Sequence, residues 1–269
     1  MVSRTAIYTV MERAVRKAAR GLVRDFGEVE HLQVSVKGPG DFVSNADRNS
    51  ERILREELER ARPGYGFLME EGGEIAGDGT NRWIIDPLDG TTNFLHGIPQ
   101  FCISVALERS GEVVAGIVYN PIQDELYWAE RGHGAFLNER RLRVSGRRNL
   151  EDALIGTGIP FGDRGDHAVY LRTLAAVMNR TAGTRRAGAA ALDLAYVAAG
   201  RLDGFWEFGL HPWDIAAGMI LIREAGGFVE DLGGRENPMK TGNVLAANSH
   251  LLGPLGRLLR SATDGPGAA

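Results

Sequence analysis

Trp83-Ile84-Ile85-Asp86-Pro87-Leu88-Asp89-Gly90-Thr91-Thr92-Asn93-Phe94 is the stretch on which the reading of this chain turns. The apolar run Trp83 to Ile85 has the composition of a buried strand, and it ends abruptly in two aspartates separated by Pro-Leu. Gly-Thr-Thr-Asn then suits a tight turn that opens a helix. Carboxylates leaving a strand end can share hard cations such as Mg²⁺, which prefer oxygen ligands. Backbone N–H groups at a helix N-terminus, backed by its dipole, bind phosphate. Metal ligands beside an anion cradle point to metal-assisted phosphoryl chemistry. On this segment alone the plainer alternative, an Asp-Pro turn with an ordinary helix cap, stays open.

A second segment, Trp206-Glu207-Phe208-Gly209-Leu210-His211-Pro212-Trp213-Asp214-Ile215-Ala216-Ala217-Gly218, decides between them. With the first it resembles the paired signatures of the inositol monophosphatase family, bacterial type, within the Mg²⁺-dependent, lithium-sensitive sugar phosphatases. The first segment matches D-P-[IL]-D-G-T-T-N-F, and the second matches W-D-x-A-A-G with its upstream acidic residue. The resemblance runs from Ile7 to Leu259 and implies a layered αβαβα sandwich and a homodimer; periodicity alone shows only mixed α and β.

A phosphate monoester dianion repels nucleophiles, so catalysis must neutralise charge, position a water and stabilise the departing oxygen. Paired divalent cations about 3.5–4 Å apart do this for an in-line displacement, and the resemblance implies about two to three Mg²⁺ per site. Near-octahedral oxygen coordination requires convergent carboxylates, and candidates stand at three separated places: Glu70, the Asp86/Asp89 pair, and Asp214. Asp86 and Asp89 leave the strand within one turn, with the Leu88 carbonyl between them and free where the strand ends. The resemblance makes Glu70, Asp86 and the Leu88 carbonyl ligands of a first metal, and Asp86, Asp89 and Asp214 ligands of a second. Asp214 alone also reads as a helix N-cap, worth about 1 kcal/mol, and the two roles can coexist.

The resemblance places Glu70 and the Thr91 hydroxyl on the attacking water, with Thr91 oriented by Asp47. By itself Asp47 reads rather as a solvated or N-terminal helix acid balanced by Arg48, and only the resemblance gives it the orienting role. The text Val43-Ser44-Asn45-Ala46-Asp47 departs from V-T-x-x-D by having Ser at the Thr position, and the usual G-E-E becomes Met69-Glu70-Glu71, which leaves Glu71 as a competing ligand. Phosphate is expected on the N–H groups of Gly90 and Thr91, where close backbone approach penalises a Cβ. Glu207, matching the family's polyol-binding acid, and Gly188-Ala189-Ala190, matching its small-residue segment, face the substrate. The substrate contacts implied are thus Leu88 to Thr91, Arg185, Gly188, Ala190, Glu207 and Asp214. Arg185 and Arg186 reach the substrate or an adjacent subunit, with a surface salt bridge as the alternative. Phe161, His167 and His211 read as structural or rim residues.

Composition sets the bounds. At 269 residues, with 43% hydrophobic and 25% charged residues, the chain fits one large α/β unit with a sizeable core. A net charge of −4 with scattered Lys and Arg suggests no nucleic-acid face. The one cysteine, Cys102, lies in an apolar run, excludes an intrachain disulfide and fits a reducing cytoplasm. No stretch approaches the roughly 18 apolar residues that span a membrane, and the start lacks a secretory h-region.

Helical spacing of Ile7, Val10, Met11, Ala14, Val15, Ala18, Leu22 and Val23 predicts a long first helix. His31 to Lys37 alternates as a strand, and 41–47 leads into a helix ending near Pro63-Gly64. Strands are expected at 67–69, 101–108, 112–120, 125–130, 205–207, 228–230 and 243–247, and helices at 167–179, 189–199, 213–225 and 250–259. The chain is expected to act as a single catalytic unit, with halves at about 1–145 and 150–262 and a frayed tail from 263. The expected activity is Mg²⁺-dependent hydrolysis of inositol monophosphate by a metal-activated water. The alternatives are fructose 1,6-bisphosphate, 3′-phosphoadenosine 5′-phosphate or histidinol phosphate as substrate, or a transcription-associated binding protein of the same fold.

Overall fold

In the computed structural model, the N-terminal apolar stripe forms helix α1 (Ala6–Phe26), which buries Tyr8, Met11, Ala14, Val15, Ala18 and Leu22. Its first turn is capped by Thr5, whose hydroxyl accepts the Tyr8 N–H at 3.0 Å. The structure describes residues 4–29, 34–38, 41–160, 166–234 and 237–264. After α1 come β1 (Val34–Gly38), β2 (Asp41–Ser44), α2 (Asn45–Ala61), β3 (Gly66–Met69), β4 (Gly73–Ile75), β5 (Asn81–Asp89) and the short α3 (Thr91–Leu95). A meander follows: β6 (Cys102–Arg109), β7 (Glu112–Asn120), β8 (Glu125–Glu130), β9 (Gly134–Leu137) and β10 (Arg140–Arg141). The second half contains β11 (Leu154–Thr157), α4 (His167–Met178), β12 (Gly183–Arg185), α5 (Ala190–Ala198), β13 (Gly204–Glu207) and α6 (Pro212–Glu224). It closes with β14 (Phe228–Asp231), α7 (Pro238–Thr241), β15 (Val244–Ala247) and α8 (Leu252–Asp264).

Two large sheets and three helical layers result, with β1–β2 as a separate two-stranded sheet. The eight-stranded sheet has the order β10-β9-β8-β7-β6-β5-β3-β4 and is antiparallel except for β3–β5; the five-stranded sheet has the order β12-β11-β13-β15-β14. Successive strand residues face opposite sides, and β5 is apolar on both because both are covered. Trp83 and Ile85 pack with α1 and α2, while Ile84 packs with α5 and α6. The same alternation sends Phe205 to the α5–α6 layer and Trp206 to α4 and α8. The architecture is therefore an αβαβα sandwich. Helices α5 and α6 are buried almost all round because a sheet lies on each side of them. Their close contact needs Gly218, where a Cβ would come within 2.5 Å of Leu194; Gly218→Ala would overpack this layer at a cost of about 1–3 kcal/mol.

The structure corrects several local readings. Strand β5 does not end before the aspartates but continues through both, with a register shift between Asp86 and Asp89. The segment before α2 contains β2, paired with β1; of the alternating stretch 31–37, residues 31–33 lie outside the described residues. The short strands β4, β9, β10, β11 and β12 were not expected. They are two to four residues long, too short for periodicity to reveal, and pairing alone defines them. Helix α8 starts at Leu252 and includes Thr263, which was expected in the tail; residues 265–269 lie outside the described residues, as does Phe161.

Candidate active site

The bulge in β5 aims the carboxylates. Asp86 pairs with Ser104 and Asp89 with Cys102, so three steps along β5 match two along β6. Residues three apart on a regular strand face opposite sides, and one inserted residue restores a common face. Asp86 is 2% exposed, and its Oδ1 accepts the Leu88 N–H at 2.9 Å. Ser50 on α2 donates to the Pro87 carbonyl at 2.9 Å and holds the turn. The Leu88 carbonyl is not free, as it accepts from Thr91 Oγ1 at 3.0 Å.

Thr91 Oγ1 also lies 3.3 Å from Oδ1 of buried Asp47, so α2 and the β5–α3 turn meet at this hydroxyl. A hydroxyl carries one proton and can donate to only one of these acceptors at a time. Gly90 adopts φ +92°, and a Cβ there would lie 2.9 Å from the Gln100 carbonyl, so the turn requires glycine. Asn93 Nδ2 donates to the carbonyls of Gln100 (2.7 Å) and Ala187 (2.9 Å), tying this turn to the segment before α5.

Asp89 serves the second half of the chain. Helix α5 has no side-chain cap at Ala189, and Asp89 Oδ2 accepts the Ala191 N–H at 2.7 Å, filling that role from another sheet. Cys102 Sγ, fully buried, lies 3.7 Å from the same oxygen. Asp214 is not the N-cap of α6: His211 is, and Asp214 at the third helical position accepts the His211 N–H at 2.7 Å in a capping box. Ser104 Oγ donates to the Trp213 carbonyl at 3.1 Å, fixing this helix start against β6.

These elements border one cleft, lined among others by Glu70, Asp86, Asp89, Thr91, Glu207 and Asp214. Burial pushes the Asp86 carboxyl well above the usual carboxylate range, reinforced by Glu70, Asp89 and Asp214. Burial also pushes Asp89 up to about 7 against the lowering effect of the Ala191 N–H. Carboxylates placed so that three of them raise the proton affinity of Asp86 form a donor set suited to a hard divalent cation. The donor chemistry fits, although among the described residues no three Asp, Glu, His or Cys side chains are already gathered as a finished metal cage.

Glu70 lines this cleft while Glu71 borders a separate groove beside α2; the Glu70 N–H donates to Ile85 O at 3.2 Å and the Glu71 N–H to Glu51 Oε2 at 2.9 Å. Gly188 and Ala190 line the cleft as well. Of the two arginines, Arg186 lines it; Arg185 is exposed and donates to the Thr184 carbonyl at 2.9 Å. His167 Nε2 lies 2.9 Å from the Pro160 carbonyl. Burial raises Glu207 well above its usual range, with Asp193, Asp214 and Asp89 adding to the effect. Its carboxylate lies over Gly158, where a Cβ would sit 1.8 Å from Oε1. Gly158 and Asp193 were missed by sequence reasoning. The available signal for Asp193 was a lone acid inside the otherwise apolar run Ala190–Ala198.

The fold is a layered αβαβα sandwich, and the family and the named relatives that the chain matches make it a phosphoric monoester hydrolase. The sequence model of the inositol monophosphatase family matches residues 3–263. An inositol-1-monophosphatase of Rhizobium meliloti is 62% identical over 251 residues, covering 93% of this chain and 94% of that protein. The Nus factor SuhB of Pseudomonas aeruginosa is 46% identical over 242 residues, covering 88% and 89%. The crystal structure of extragenic suppressor protein suhB from Bartonella henselae superposes with a TM-score of 0.93 at 57% identity, covering 96% of this chain and 99% of that one. The chain belongs to the inositol monophosphatase family, whose members are generally metal-dependent. Among the described residues no helix is long and apolar enough to cross a membrane.

Proposed function

We propose that this protein hydrolyses inositol monophosphate to inositol and phosphate with Mg²⁺ as cofactor. The observation that carries the reading is that Glu70, Asp86, Asp89 and Asp214 line one cleft with the Gly90–Thr91 turn and Glu207. Glu70, Asp86, Asp89, Asp214 and the Leu88 carbonyl would hold the ions. Bound Mg²⁺ supplies charge neutralisation and polarises the phosphoryl group.

The protein's own residues do the rest. The N–H groups of Gly90 and Thr91 hold phosphate oxygens. Thr91, fixed by Asp47, and Glu70 orient the attacking water. Glu207 accepts hydrogen bonds from the polyol, and Gly188 and Ala190 let the ring approach the backbone. The whole chain acts as one catalytic unit, in a cytoplasmic homodimer.

A phosphate-release panel with inositol monophosphate, fructose 1,6-bisphosphate, 3′-phosphoadenosine 5′-phosphate and histidinol phosphate tests the reading. Inositol monophosphate is expected to have the highest kcat/KM and to lose turnover on chelation. Faster hydrolysis of another ester overturns the substrate, and full activity in chelator overturns the cofactor. Relatives named Nus factor SuhB support a second reading, in which this fold also binds a transcription component. Pull-down of transcription proteins from lysate tests that association.

A further inference from the structure

Asp193 lies in the first turn of α5, whose other residues from Ala190 to Ala198 are apolar apart from the Tyr196 hydroxyl. It is 2% exposed and lines the cleft. Its Oδ1 is buried without a hydrogen-bond partner, the one carboxylate oxygen in that condition among the described residues. An unpaired buried acceptor lowers stability, so neither packing nor an internal bond accounts for an acid at this position. Glu207 and Arg186 line the same cleft. Burial pushes both acids well above the usual carboxylate range, Asp193 adds to the effect at Glu207, and Arg186 works against it at both. Because a cation already stands near the pair, the missing partner is better matched by a neutral hydrogen-bond donor than by a metal ion.

We propose that Asp193 is a second hydroxyl acceptor for the leaving group, working with Glu207 to select phosphate esters of polyols with neighbouring hydroxyls over esters of simple alcohols. This deepens, and rests on, the substrate reading above. A carboxylate only accepts hydrogen bonds, a protonated carboxyl still accepts on its bare oxygen, and a diol offers two O–H donors. The χ2 torsion of Asp is broad, so a modest rotation presents either oxygen to a hydroxyl entering the cleft. A site built around such acceptors discriminates against analogues that leave them unpaired.

The test uses the full-length protein with Mg²⁺ and compares wild type with Asp193→Asn and Asp193→Leu. Substrates are inositol 1-phosphate, its monodeoxy analogues and p-nitrophenyl phosphate. Asp193→Asn is expected to lower kcat/KM on inositol 1-phosphate about tenfold, the scale of one hydrogen bond to a charged group. That penalty should vanish on the deoxy analogue lacking the bound hydroxyl and be clearly smaller on the aryl ester. Asp193→Leu should lose the same discrimination while raising Tm, because it removes an unpaired buried carboxylate. Equal penalties on every substrate, together with lower Tm in both variants, overturn the inference by making Asp193 structural. Wild type that prefers inositol 1-phosphate, with the preference intact in Asp193→Asn, overturns this inference alone. A wild type without that preference sinks the substrate reading and this inference with it.

Discussion

The two walls of the cleft are built by different means. The phosphate-side wall, as the proposed function has it, comes from one continuous stretch, Asp86 to Thr91, shaped by a bulge and a left-handed glycine. The wall proposed to face the leaving group is assembled from Gly158, Arg186, Gly188, Asp193 and Glu207, on segments far apart in sequence. Charge is handled differently too. Asp86 and Asp89 each accept a backbone N–H, from Leu88 and Ala191, whereas Asp193 keeps an oxygen without a partner. Local backbone bonds hold a carboxylate set in fixed aim, while the other wall keeps acceptor capacity for a ligand. Asp89 joins the two walls by capping α5 from β5.

Breaking the phosphate-side wall should have the largest effect. Asp89→Asn keeps an oxygen for the Ala191 N–H but removes a charge that a second Mg²⁺ needs. Loss of several kcal/mol of metal stabilisation corresponds to about a hundred- to a thousandfold in kcat. Circular dichroism should show the fold intact, and wild-type turnover and Mg²⁺ activation in a folded variant would sink the ligand assignment.

Thr91→Ala leaves the backbone N–H in place and removes only the hydroxyl that bridges toward Asp47 and Leu88. We expect kcat to fall about a hundredfold with KM little changed, as for a group acting on the nucleophile in the transition state. A raised KM with unchanged kcat would assign Thr91 to binding.

On the other wall, Glu207→Gln retains an acceptor but loses its charge. A fall of about ten- to thirtyfold in kcat/KM for inositol monophosphate is expected, with a much smaller loss for p-nitrophenyl phosphate. Matching losses on both esters would erase the distinction between the walls.

The smallest effect is a pH dependence of metal binding. Burial raises Asp89 to about 7, so below that pH a proton competes with the ion for the same oxygen. Half-activating Mg²⁺ should rise about fivefold between pH 7 and pH 6, while a flat profile in activation curves would show that ion binding does not displace that proton.

Much of this was legible in the chain because it is local. The helical spacing of α1, the strands Glu112–Asn120 and Glu125–Glu130, and the Gly90-Thr91 turn that opens α3 each state their own geometry within a few residues. Adjacent acids are harder: Glu70 and Glu71 are equivalent as text. Only once Met69 pairs with Ile85, and α2 receives the Glu71 N–H, does Glu70 alone border the cleft.

The sequence by itself determined the acidic set, the glycine turn between strand and helix, and the family. Those depend on residue type and short spacing. Only the tertiary structure decided which side of β5 the aspartates share, that Asp89 caps α5, that Arg186 rather than Arg185 reaches the cleft, and that Asp193 is stranded there. Each of these depends on a partner more than ten residues away, such as the register of β6 or the packing of α5 between two sheets, and side-chain periodicity along one segment carries no information about such a partner.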